Sequence, residues 1–168
     1  MTISFIGGSE MKRNKNKYAM TYTHFHEMFA DPVEPLSQDK RTSYLIKIYE
    51  GLDALDNMMH PEDHHWQHVA DAVNMLTTLV TEMEVMEDPT GVIRDANKTL
   101  HDAWKREQSL GYNTLDALEV ESLRTAVAEY AAVIETLPER AMVRCHRLTE
   151  KRMHRVLNGQ RTKEDIII

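Results

Sequence analysis

Residues His60 to Met83 read HPEDHHWQHVADAVNMLTTLVTEM, and within them Trp66, Val69, Val73, Leu76, Val80 and Met83 recur at alternating steps of three and four. That spacing brings an apolar side chain back to one side of a 3.6-residue helix on every turn, so this stretch must fold as a helix with one stripe to bury. The far side of the same wheel carries His60, His64, His68 and Asp71, four polar groups in a column. The stripe determines how the chain folds, and the column is the first place to look for chemistry.

The rest of the chain repeats the helical device. Ser37 can cap a helix reaching about Met59, with Leu45, Ile48, Leu52 and Leu55 as its seam. Pro61 suits the first turn of the next helix, and Glu62-Asp63 place negative charge at the positive end of its dipole. The link between these two helices is short enough to fold them back as an antiparallel hairpin. Asp88-Pro89 opens a third helix through Ile93, Ala96, Leu100 and Trp104, which Gly111 ends. Thr114 caps a fourth along Leu123, Val127, Tyr130, Ile134 and Leu137, and Pro138 opens a fifth to about Leu157. Each helix would be about 30 Å long at 1.5 Å per residue. The expected fold is all-α: an antiparallel up-and-down bundle of about five helices over residues 37–159. An irregular N-terminal arm (1–36) and a tail (160–168) flank it, and Tyr18 to Phe29 can form a short helix. A chain of 168 residues buries roughly two thirds of its unfolded surface, which suffices for one core.

Cys145 is the only cysteine, so no internal disulfide forms, and no window nears the roughly 20 apolar residues of a membrane span. The order of the N-terminus, apolar before basic, is the reverse of a secretory signal, so a cytoplasmic location is expected. Charge is divided unevenly. Residues 30–137 hold 8 basic and 21 acidic side chains, while residues 138–168 hold 8 basic and 4 acidic. The acidic body repels nucleic acid and suits a basic groove on a partner protein.

Several constellations can carry chemistry. His60, His64, His68 and Asp71, at spacings of four, four and three, offer imidazoles at a metal-ligand interval, so a metal-dependent enzyme or regulator is the first alternative. No second helix supplies the Glu-x-x-His partner that dimetal bundles use, and the column lies opposite the stripe, toward solvent. Thr23-His24-Phe25-His26-Glu27 is a second histidine cluster, in the arm. Arg140, Arg144, Arg147, Lys151 and Arg155 fall within an arc of about 80° on the last helix, a cationic ridge that would grip nucleic-acid phosphates or an acidic protein surface, unless it docks on the acidic body of its own or a sister subunit or simply faces water. No aromatic residue interleaves with these cations in sequence, which gives base stacking no support. His146, Glu150 and His154 lie beside the ridge, where Glu150 can bridge both imidazoles. Cys145 falls on an apolar face and is expected to be inert. Ile3, Phe5 and Ile6, with Ile166, Ile167 and Ile168, are short β-prone runs that would pair with each other or with a second subunit. The chain has no Gly-rich phosphate loop, no Gly-x-Ser-x-Gly elbow, no His-Glu-x-x-His and no recognisable helix-turn-helix.

Trp66, then Ala70-Asp71-Ala72-Val73-Asn74, a polar helix ending near Arg106, Gly111-Tyr112, and a leucine-spaced helix through Glu121, Leu123 and Tyr130 follow one another in a familiar order. Over residues 44–157 this order resembles a group of small proteins encoded in proteobacterial phages and prophages. The resemblance brings no catalytic residues with it. It implies a phage accessory protein that works by binding and disabling a host component, including a bacterial defence system such as a CRISPR effector. The functional expectation is therefore a non-catalytic protein that binds another protein, without a cofactor, with nucleic-acid binding through the last helix as a further alternative.

Overall fold

A computed structural model describes residues 20–159, and within them the chain is helical. A short α1 (His24–Phe29) precedes five long helices: α2 (Gln38–Asn57), α3 (Asp63–Thr81), α4 (Val92–Leu110), α5 (Ala117–Thr136) and α6 (Glu139–Leu157). The one extended pairing among the described residues is an isolated bridge between Pro35 and Pro138. The all-α bundle expected from the periodicity is what forms.

Helices α2 to α5 close a four-membered bundle, each packed on its sequence neighbours and α2 returning to α5. α3 also reaches α5 across the middle and receives α6 on its outer side, while α1 packs on α6. α3 is therefore contacted by four helices. Its stripe residues Trp66, Val69, Val73 and Leu76 are buried as the spacing requires, and the indole rings of Trp66 and Trp104 pack edge to face with centroids 5.6 Å apart. From Ala72 to Leu79 every side chain is buried, including Asn74, Thr77 and Thr78. Polar groups survive there because they find acceptors and donors. Thr77 and Thr78 donate to the carbonyls of Val73 and Asn74, Asn97 donates to Thr77, and the hydroxyls of Thr78 and Thr149 lie 2.6 Å apart.

Several helix starts differ from the expectation by a few residues. α3 begins at Asp63 behind Glu62, so Pro61 and His60 both precede it; the Glu62 backbone N–H donates to His65 Nδ1 at 3.0 Å. Asp88 does cap α4, but across a loop: its carboxylate accepts from the backbone N–H groups of Ile93 and Arg94, with Pro89 left outside the helix. Asp116, not Thr114, caps α5, accepting from Leu118 and Glu119, while the Thr114 hydroxyl accepts from Arg106. Gly111 ends α4 at φ +80, the left-handed conformation that glycine adopts freely.

Gly51 decides how closely α2 and α3 approach. A side-chain carbon there would sit 2.6 Å from the His65 carbonyl oxygen and 3.2 Å from the His68 Cβ, so only glycine admits the backbone of α3. On helix propensity alone, Gly51→Ala would stabilise the protein by up to about 1 kcal/mol. The opposite outcome is expected. Because the obstructing atom is backbone, α3 must shift, and overpacking of this kind costs about 1–3 kcal/mol. Thermal melts followed by circular dichroism should show a lower Tm for Gly51→Ala than for the wild type.

Candidate functional site

The histidine column does not assemble into a site. His60 lies in the α2–α3 link, out of register with the helix, because α3 starts at Asp63, two residues later than a helix opening on Pro61 would. His64 is exposed, its ring centroid 3.9 Å from that of His65 and 5.6 Å from that of His68. His68 is half-buried against α2 beside Lys47, and desolvation, helped by the neighbouring imidazoles and Lys47, lowers its pKa. Asp71 turns instead toward α6. Crowding by protein, and then the nearby Glu150 carboxylate, push its pKa up to about 6, although its surface remains solvent-exposed. Among the described residues, no three His, Cys, Asp or Glu side chains stand close enough to hold a metal ion. Thermal melts with and without a chelator are expected to superimpose for the wild type and for His64→Ala plus His68→Ala alike. A chelator-dependent drop in Tm would restore the metal reading.

The cationic ridge is largely engaged by the protein's own arm. Arg147 binds the Glu27 carboxylate through Nε at 3.0 Å and Nη2 at 2.8 Å, with Arg144 Nε at 4.0 Å from the same group. Arg140 donates to the carbonyls of Met28 and Ala30, gripping the open end of α1, while its backbone N–H donates to Asp31. Arg155 pairs with Glu82 at the end of α3. Lys151 stays exposed. Glu139 adds a second clasp, accepting from Lys40 and from the Asp31 backbone. Four of the five ridge cations therefore hold the chain's own acidic and carbonyl groups.

Beside the ridge, the His146 ring packs at a tilt against Tyr22 of the arm and Tyr44 of α2, with centroids at 5.3 and 5.6 Å, and the two tyrosine hydroxyls share a hydrogen bond of 2.8 Å. Glu150 does not bridge the histidines; its carboxylate accepts the Thr21 N–H. Burial lowers the His146 pKa, with Glu150 opposing. Cys145 is buried, donates to the Met75 carbonyl at 3.4 Å, and has its thiol pushed up to about 12 by desolvation, which disfavours the reactive thiolate. The apolar runs at Ile3, Phe5 and Ile6 and at Ile166, Ile167 and Ile168 lie outside the described residues.

Comparison with protein-family models, curated proteins and solved structures returns no match to this chain. Its surface must therefore speak for it, and no helix among the described residues is long and apolar enough to cross a membrane. The feature that sequence reading missed is the outer side of α1. Phe25, Met28 and Phe29, with Val33 just beyond, are 62% to 74% exposed, and the rings of Phe25 and Phe29 pack together with centroids 4.6 Å apart. α1 buries none of its residues. Only the engagement of Glu27 and the helix carbonyls by α6 reveals that the aromatic pair must point outward, which no local pattern could show.

Two expectations follow for the arm. Charged hydrogen bonds are worth about 1.5–3 kcal/mol, so Arg147→Met should raise the undocked population of the arm roughly tenfold or more, read as faster amide exchange over residues 23–31. For His146 the neutral form is favoured when docked, so docking is full above the ordinary imidazole pKa and is lost as pH falls through the lower docked value. The raised pKa of Asp71 works in the opposite direction, being relieved by protonation. Lowering the pH from about 7.5 to about 5, across the ordinary imidazole pKa, should reduce the docked population reported by Tyr22 ring resonances, and His146→Phe should flatten that response.

Proposed function

We propose that this protein is a non-catalytic binder that acts by occupying the surface of a partner protein. The observation that supports this reading is the α1 face. Two phenylalanines and a methionine stand in water on a six-residue helix whose attachment to the bundle is polar. Aromatic and methionine side chains dominate the energetic centres of protein interfaces, and leaving a cluster of them exposed is costly unless something covers it. Arg140 and Arg144 border this face with positive charge, so the matching surface is an apolar recess with an acidic edge. The net negative charge of residues 30–137 suits partners of opposite sign, with electrostatics setting the encounter rate.

The setting we attach to this activity is the one implied by the resemblance of residues 44–157 to phage and prophage accessory proteins: inhibition of a host or antiviral-defence component. Affinity capture from lysate of a bacterial host, with the wild type and with Phe25→Asp plus Phe29→Asp, tests it. The wild type should retain a specific protein that the double variant releases, at unchanged Tm, because neither ring supports the core. Equal capture by both would reject the α1 face as the binding surface.

A further inference from the structure

Among the described residues, another surface that no other element covers is the outer side of α2, and it differs in kind from the α1 face. α2 is apolar on two sides. Ile48, Leu52 and Leu55 point into the bundle, whereas Ile46 and Tyr49 are 52% and 47% exposed on the far side. Two open grooves run along that far side, of about 520 and 460 Å³. They share Thr42, Ile46 and Glu50, which follow one another at steps of four, so these three form a ridge with a groove on each flank. One groove is floored by Leu45 and Tyr49 and ends at Asp53; the other runs past Asp39, Ser43 and Lys47. A ridge of i, i+4 residues between two grooves is the relief into which the ridges of another helix pack.

From this relief and its charge we infer that the outer face of α2 docks a basic amphipathic helix of a partner protein, with aliphatic side chains in the groove beside Ile46 and Tyr49. Among the groove-lining residues, Asp39, Glu50 and Asp53 oppose the single cation Lys47, so lysines or arginines flanking the partner's apolar stripe meet carboxylates. The same charges disfavour a second copy of this chain. Antiparallel pairing about Ile46 sets Asp39 against Asp53, and parallel pairing sets each carboxylate against its own equivalent. This inference is independent of the α1 face.

The test uses the full chain and a fluorescein-labelled synthetic peptide of about 18 residues, roughly 27 Å as a helix, with leucines at helical spacing and lysine or alanine elsewhere. A scrambled peptide of equal charge, unable to form an apolar face, is the control. Fluorescence anisotropy should show saturable binding of the amphipathic peptide, at least tenfold tighter than the scrambled one. Ile46→Asp should weaken it at least tenfold, and Glu50→Lys plus Asp53→Lys should both weaken it and flatten its salt dependence. Phe25→Asp plus Phe29→Asp should leave it unchanged. Equal binding of the scrambled peptide, or indifference to Ile46→Asp, overturns the inference. Loss of binding in the α1 variant overturns it while leaving the proposed function standing. A doubled mass of the unliganded protein in light scattering, abolished by Ile46→Asp, assigns the face to a second copy and also overturns it.

Discussion

The structure depends on enclosing one helix from four directions. α3 has neighbours α2, α4, α5 and α6, and from Ala72 to Leu79 every side chain is buried. Enclosure on every side is harder to satisfy than burial of a single stripe, because a helix surrounded by others cannot turn its polar residues outward. α3 meets the requirement with small and self-satisfying groups. Alanines at 70 and 72 take little room, and threonines at 77 and 78 return their hydroxyl protons to carbonyls one turn back while offering oxygen to Asn97 and Thr149. Arg152 extends the same layer from α6 by donating to the Asn74 carbonyl at 2.9 Å. The polar layer fixes where α6 crosses, since an unmade hydrogen bond in a closed core costs about 1–3 kcal/mol.

That enclosure explains which parts of the fold were legible in the sequence. The stripe of Trp66, Val69, Val73 and Leu76 was visible because apolar periodicity survives without knowledge of partners. The burial of Asn74, Thr77, Thr78, Thr149 and Arg152 was invisible, because a polar residue reads as surface until its partner on another helix is known. Gly51 likewise shows nothing locally; its role appears only when the His65 carbonyl is placed against it. Helix ends were read to within a few residues. Where they slipped, at Pro61, Pro89 and Thr114, the cap was made by a neighbouring acidic residue: Glu62 before α3, Asp88 reaching across its loop, and Asp116 before α5.

The same slip had a larger consequence for the histidines. A helix beginning at Pro61 would align His60 with His64 and His68, whereas one beginning at Asp63 leaves His60 in the link and uses His65 to accept the Glu62 N–H. Two residues of register separate a four-group column from a pair of surface imidazoles with a structural neighbour. The ridge on α6 was legible as a ridge, and its occupant was not. Glu27 and the carbonyls of α1 come from more than a hundred residues away, and the arm reads as indecisive because its helix is too short to persist without them.

Arm and bundle therefore divide the surface into two characters by the same physical rule. Wherever the chain uses charge to hold itself, as Arg147 holds Glu27, the apolar residues of the held segment are left facing outward, since the polar side of the helix has been turned in. Wherever it uses apolar packing to hold itself, as α2 does through Ile48, Leu52 and Leu55, the carboxylates are left outside. The aromatic face of α1, bordered by arginines, is the complement of the first arrangement. The acidic ridge of α2, with Ile46 and Tyr49 set into it, is a departure from the second, because a helix already anchored by its inner stripe has no internal need for a second apolar row. An unneeded row flanked by carboxylates is accounted for by a helix from outside that supplies both the aliphatic contacts and the positive charge.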